Sequence, residues 1–68
     1  MTQFQYTVVV DDSEIEDLFT DVEYGVGDVV LVARRKFVVE RVENTGATNF
    51  DKGLHMTLID KRLHCRPV

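Results

Sequence analysis

Apolar and polar residues alternate from Gln3 to Val10, with Phe4, Tyr6, Val8 and Val10 on one side and Gln3, Gln5, Thr7 and Val9 on the other. This two-residue period predicts a half-buried strand. The next segment, Asp11 to Phe19, changes character. Ser13 and Glu16 stand at capping-box spacing, and Ile15, Leu18 and Phe19 can share a helical face, so one short helical turn or an irregular acidic loop is expected. Gly25 and Gly27 precede Asp28, and Val29 to Ala33 follows as a continuous apolar run rich in β-branched residues, the clearest strand in the chain. Arg34, Arg35 and Lys36 interrupt the apolar character and Phe37, Val38, Val39 and Val42 resume it, which predicts a hairpin turning near Arg35. No Asn-Gly or Asp-Gly pair marks that turn, so its register stays open.

Turn-forming residues from Glu43 to Gly53 predict the longest loop, with Phe50 as its one large apolar residue, tucked over a barrel end or anchoring a partner. A second hairpin is expected beyond it, with Leu54 to Ile59 and Leu63 to Arg66 as arms and Asp60, Lys61 and Arg62 as the connection. Pro67 then removes a backbone donor and ends pairing. Five short strands imply an all-β or mainly β fold: a small antiparallel five-stranded, partly open barrel or curled sheet, SH3-like in size, with at most one helical turn. The stretch Val26 to Val42, a Gly-Asp entry into an apolar strand followed by a basic turn and a second strand, resembles the start of SH3-like barrels, including KOW-type modules. It lacks the glycine that KOW modules place after that first strand, and no function is carried over.

With 68 residues the chain is expected to be a single domain, spanning 1–68, whose core only narrowly offsets the entropy of ordering the backbone. Self-association, as a homodimer, is the remaining way to supplement such a core, because Cys65 is alone and cannot form an internal bridge. The unpaired cysteine and the lack of an apolar N-terminal run behind basic residues point to the cytoplasm. No window approaches the roughly 20 apolar residues of a membrane span, so no membrane partner is expected.

Charge changes the picture most. The first 33 residues hold eight acidic side chains and no Lys or Arg, while the remainder holds all eight basic residues and four acidic ones. Glu14, Glu16, Asp17, Asp21 and Glu23 are the candidate acidic docking face, suited to a basic partner or to mimicry of nucleic-acid phosphates. A solvated acidic segment is the plainer alternative. Arg34, Arg35, Lys36, Lys61 and Arg62 would cluster if both hairpin turns project from one end of the sheet, and that patch is the candidate nucleic-acid contact. Against it stand a net charge of −4 and the lack of aromatics among these residues for base stacking. Alternatively the two charged groups pair with one another, within one molecule or between subunits.

The candidate chemistry is thin. The carboxylates do not follow the spacing of a calcium loop, and His55, His64 and Cys65 lack the spacing of a zinc site, so no metal or other cofactor is expected. Ser13 is better used as a cap than as a nucleophile, Cys65 reads as a core residue, and no catalytic residue is assigned. The expected function is a non-enzymatic, small acidic protein-interaction or accessory module of bacterial or phage type. The alternative is a nucleic-acid-binding module.

Overall fold

A computed structural model describes residues 2–50 and 56–68, the side chains of 47–50 and 56 excepted. The described residues form five strands and no helix: β1 (Thr2–Val10), β2 (Ser13–Thr20), β3 (Val29–Val32), β4 (Arg35–Phe50) and β5 (Met56–Pro67). They make one curled sheet, a half-barrel, in the order β2-β1-β5-β4-β3. β2 and β3 are its two edges. Three of the four pairings are antiparallel, but β1 and β5 run parallel from Thr2↔Thr57 to Val10↔Cys65, which corrects the all-antiparallel expectation.

Alternation along β1 holds as read, since Phe4, Tyr6 and Val8 are buried. They pack with Val30 and Val32 of β3, Phe37 and Val39 of β4, and Leu63 and Cys65 of β5 to form the core inside the curl. Tyr6, Val8, Val30, Val39 and Leu63 are fully enclosed. Burial on this scale contributes about 1.5 to 3 kcal/mol for each large apolar side chain.

The expected helical turn at 11–19 is instead a hairpin turn and a strand. Asp11 and Asp12 both take positive φ, 52° and 62°, and Val10 pairs with Ser13, the geometry of a two-residue primed turn. Aspartate tolerates that conformation better than most residues. Ser13–Thr20 then satisfies its backbone along the free side of β1, whereas an isolated two-turn helix has no comparable support. Ile15 is the extra residue of a bulge, since Val8 pairs with Glu16 and Val9 with Glu14.

The first hairpin turns at Ala33 and Arg34, one position before Arg35, and both residues again have positive φ. Beyond it the expected loop at Glu43–Gly53 is strand as far as Phe50. One of its turn formers, Thr45, is the extra residue of a bulge between Asn44 and Gly46, and a second bulge, at Glu40, lies before the expected loop. The expected second hairpin does not exist: Asp60, Lys61 and Arg62 lie in the middle of β5 and pair with β1 on one side and β4 on the other. His55 and the Phe50 ring lie outside the described residues.

Residues 21–28 carry the chain from one edge of the sheet to the other. The buried Tyr6 hydroxyl holds this crossing, donating to the Val22 carbonyl and accepting from the Tyr24 N–H, each at 2.9 Å. Gly25 to Asp28 forms a turn closed by the Asp28 N–H to the Gly25 carbonyl, and the Asp28 carboxylate takes the Gly25 N–H at 2.8 Å. Gly27 has φ 93°, a conformation that only glycine adopts without strain.

Candidate functional site

The half of the chain that is acidic and the half that is basic meet within one molecule. Adjacent residues of β5 point to opposite faces of the sheet, so Lys61 and Arg62 take different partners. Lys61 lies on the core side, its Cα beside that of Tyr6, with its ammonium 5.3 Å from the Phe4 ring centroid and 3.1 Å from Glu23 Oε2 in the crossing segment. Arg62 lies on the outer face and reaches across β1, placing Nη1 2.7 Å from Glu14 Oε1 of β2. That hydrogen bond raises the Arg62 pKa further above its ordinary value.

Arg62 belongs to a larger polar array on the outer face. Its Nε is 3.9 Å from Glu43 Oε1, which accepts a 2.9 Å hydrogen bond from His64 Nε2. The His64 bond, foremost, holds the Glu43 carboxyl below its ordinary value, with Arg41, His64 and Arg62 charges acting in the same direction. Arg41 Nη2 lies 3.1 Å from the same His64 nitrogen. One ring nitrogen cannot serve both partners, and the carboxylate, as the charged acceptor, takes the proton. Val9, paired with Glu14 on one side and His64 on the other, is only 3% exposed although it lies on the outer face.

Of the five acidic candidates, Glu14 and Glu23 are therefore committed to Arg62 and Lys61. Glu16, Asp17 and Asp21 carry no ion pair to a described residue, and they lie along or just after the β2 edge strand with Asp11 and Asp12 at its start. All five are exposed. β2 thus presents an edge without a neighbouring strand and with a row of carboxylates, its Asp17 N–H held by Glu16 Oε1 at 3.2 Å.

The five basic candidates do not form one patch. Lys61 and Arg62 are held in mid-strand, while Arg34, Arg35 and Lys36 stand at the β3–β4 turn with no carboxylate partner among the described residues. Arg35 lies 5.7 Å over the Phe37 ring. A groove of about 360 Å³ opens between this turn and the β1–β2 turn. Val10, Ile15, Val32, Ala33, Phe37 and Pro67 supply its apolar lining, with Asp11 from one turn and Arg35 beside the other. The lining offers a carboxylate and a guanidinium but no thiol, hydroxyl or imidazole.

Among the described residues, no three or more His, Cys, Asp or Glu side chains are grouped to hold a metal ion. Cys65 is buried, and burial, with a smaller contribution from Glu40, pushes its thiol above the ordinary value. Among those residues, too, no helix is long and apolar enough to cross a membrane. Glu43 was not among the sequence candidates, and His64 was weighed there only as a zinc ligand. Their signal was the alternation of Asp60, Arg62, His64 and Arg66 along one face, obscured by reading 60–62 as a turn.

No protein-family model, no curated protein and no solved structure matches the chain.

Proposed function

We propose that this protein is a non-enzymatic interaction module of the cytoplasm, an accessory protein of bacterial or phage type, which binds a basic, extended segment of another protein along β2. One observation carries the proposal: β2 is an edge strand whose carboxylates at 16 and 17 are exposed and in no ion pair with a described residue, Glu16 accepting only the neighbouring Asp17 N–H. An added strand would use the unpaired edge groups of β2 for affinity, displacing Glu16 from the Asp17 N–H, while Glu16, Asp17 and the acidic turn would select Lys or Arg. Self-pairing of β2 is opposed by the same side chains, since like charges would lie across from one another. The nucleic-acid alternative is weakened by the separation of Lys61 and Arg62 from the basic turn, which leaves three basic residues at a hairpin tip.

The test is an NMR titration of the labelled protein with a strand-forming peptide of alternating Lys and Val, with a Glu–Val peptide and a single-stranded oligonucleotide as comparisons. The Lys–Val peptide should shift the amides of Ser13–Thr20, weaken with added salt, and lose its effect in the Glu16→Lys, Asp17→Lys variant. Shifts elsewhere, or shifts indifferent to that variant, would refute the proposal. Oligonucleotide binding at about 50 mM salt that Arg34→Glu and Arg35→Glu abolish would replace it with the alternative.

A further inference from the structure

The opposite edge of the sheet has the contrary character. β3 is the four-residue run Val29–Val32, without a charged or polar side chain, and it pairs only with β4. Natural edge strands are ordinarily protected by charge, proline or cover, and this one has none of these within its length. Val29 and Leu31, on the outer face, are 52% and 64% exposed.

The unpaired backbone groups can be assigned. The Asp28 carbonyl accepts the Val39 N–H, so that carbonyl and the backbone groups of Val30 and Val32 face β4, and those of Val29 and Leu31 face away from the sheet. Charge brackets the strand: Asp28 stands immediately before it, and Arg34, without a carboxylate partner among the described residues, stands just beyond its end. A strand that begins with an acid and ends with a base is complementary to its own antiparallel copy and to no parallel one.

We infer that β3 is the contact of a two-fold homodimer, in which Val29–Val32 pairs antiparallel with the same strand of a second copy about an axis at Val30. This register follows from the backbone. With Val30 opposite Val30 of the second copy, Val29 falls opposite Leu31, and every outward-facing N–H and C=O of these two residues gains a partner. The same register puts the exposed Val29 side chain against Leu31 of the second copy on the outer face, twice over by symmetry. It also sets Asp28 diagonal to Arg34 of the second copy, within reach of a long side chain. The two half-barrels then share one continuous sheet, and β2 remains free in each copy, so this contact is independent of the partner proposed for β2. An edge this short buries little area and gives a weak dimer, with Kd on the order of 100 μM.

Sedimentation equilibrium across concentrations from well below to well above that value, combined with amide hydrogen exchange, tests the inference. The mass should rise from 7.8 kDa to twice that and then stop, with exchange at Val29 and Leu31 slowing in step. Leu31→Lys, at an exposed position, should leave the circular dichroism spectrum unchanged and weaken the dimer at least tenfold. Arg34→Glu, facing Asp28, should also weaken it. A chain that remains monomeric throughout, a mass that grows without limit, or a dimer unaffected by Leu31→Lys would each overturn the inference.

Discussion

Lys61 Nζ lies 3.1 Å from Glu23 Oε2 on the side of the sheet that otherwise holds the core, and its side chain is only 12% exposed. The stem of this lysine fills space beside Phe4 and Tyr6, and the carboxylate of Glu23, itself well exposed, keeps the ammonium near water. Packing is therefore the larger part of its contribution. Lys61→Ala should cost roughly 1 to 2 kcal/mol, while Lys61→Met and Glu23→Gln should each stay within about 1 kcal/mol of wild type, as measured by urea unfolding. Equal losses for Lys61→Met and Lys61→Ala would show that the charge, not the stem, is what stabilises.

Tyr6 joins the core to the crossing segment through two hydrogen bonds to backbone groups. Tyr6→Phe leaves the Val22 carbonyl and the Tyr24 N–H without that partner and should destabilise by about 1 to 3 kcal/mol, with faster hydrogen exchange at Tyr24. Burial holds the Tyr6 phenol above its ordinary value of 10.0. The unfolded chain then loses this proton at lower pH than the folded one, so wild-type stability falls as pH rises through 10 toward the raised value. Unfolding curves should show a flatter alkaline limb in Tyr6→Phe.

Glu43 gives a prediction at the acid end. Its carboxyl is held below the ordinary value of 4.5, chiefly by the hydrogen bond from His64. The stability linked to this shift is present above that value and is lost as pH falls through the lowered one. In an NMR pH titration, Glu43 should titrate below the ordinary glutamate range in wild type and move up toward it in His64→Ala. An unchanged midpoint in that variant would remove His64 as the cause.

Cys65 provides a measure of unfolding. A buried thiol with a raised pKa is a poor nucleophile at neutral pH, so a disulfide reagent should modify the folded protein slowly and the chain in urea rapidly. The urea dependence of the labelling rate should follow the circular dichroism transition. Rapid modification without urea would mean that the β5 end of the core opens locally.

The β1–β2 turn can be improved. Asp12 has φ 62°, and Asp12→Gly places an Asp-Gly pair, the favoured composition, in this two-residue turn. A gain of about 0.5 to 1 kcal/mol is expected, against a loss of roughly 1 to 2 kcal/mol for Asp12→Val, both read from thermal or urea unfolding.

β1 and the Val29–Ala33 run were legible in the sequence because apolar spacing there reflects burial directly. β2 was not, since most of its side chains are exposed and its pairing depends on backbone groups that leave no mark on composition. The charged trio Asp60–Arg62 looked like a turn because inward lysine on a strand is rare. Lys61 is accommodated there because its stem packs beside Phe4 and Tyr6 and its ammonium reaches Glu23, thirty-eight positions away. The division of charge along the chain was visible at once. Which residues of each sign meet depends on β5 lying beside β1, and local pattern carries no information about strand order.

The parallel pairing of β1 with β5 also governs when the fold can exist. β1 waits for β5 before its second edge is filled, and Val8 and Tyr6 have no complete enclosure until Leu63 arrives. A nascent chain ending before β5 would expose the apolar face of β1 throughout its synthesis. Closing so distant a contact makes folding slow for a domain of this size.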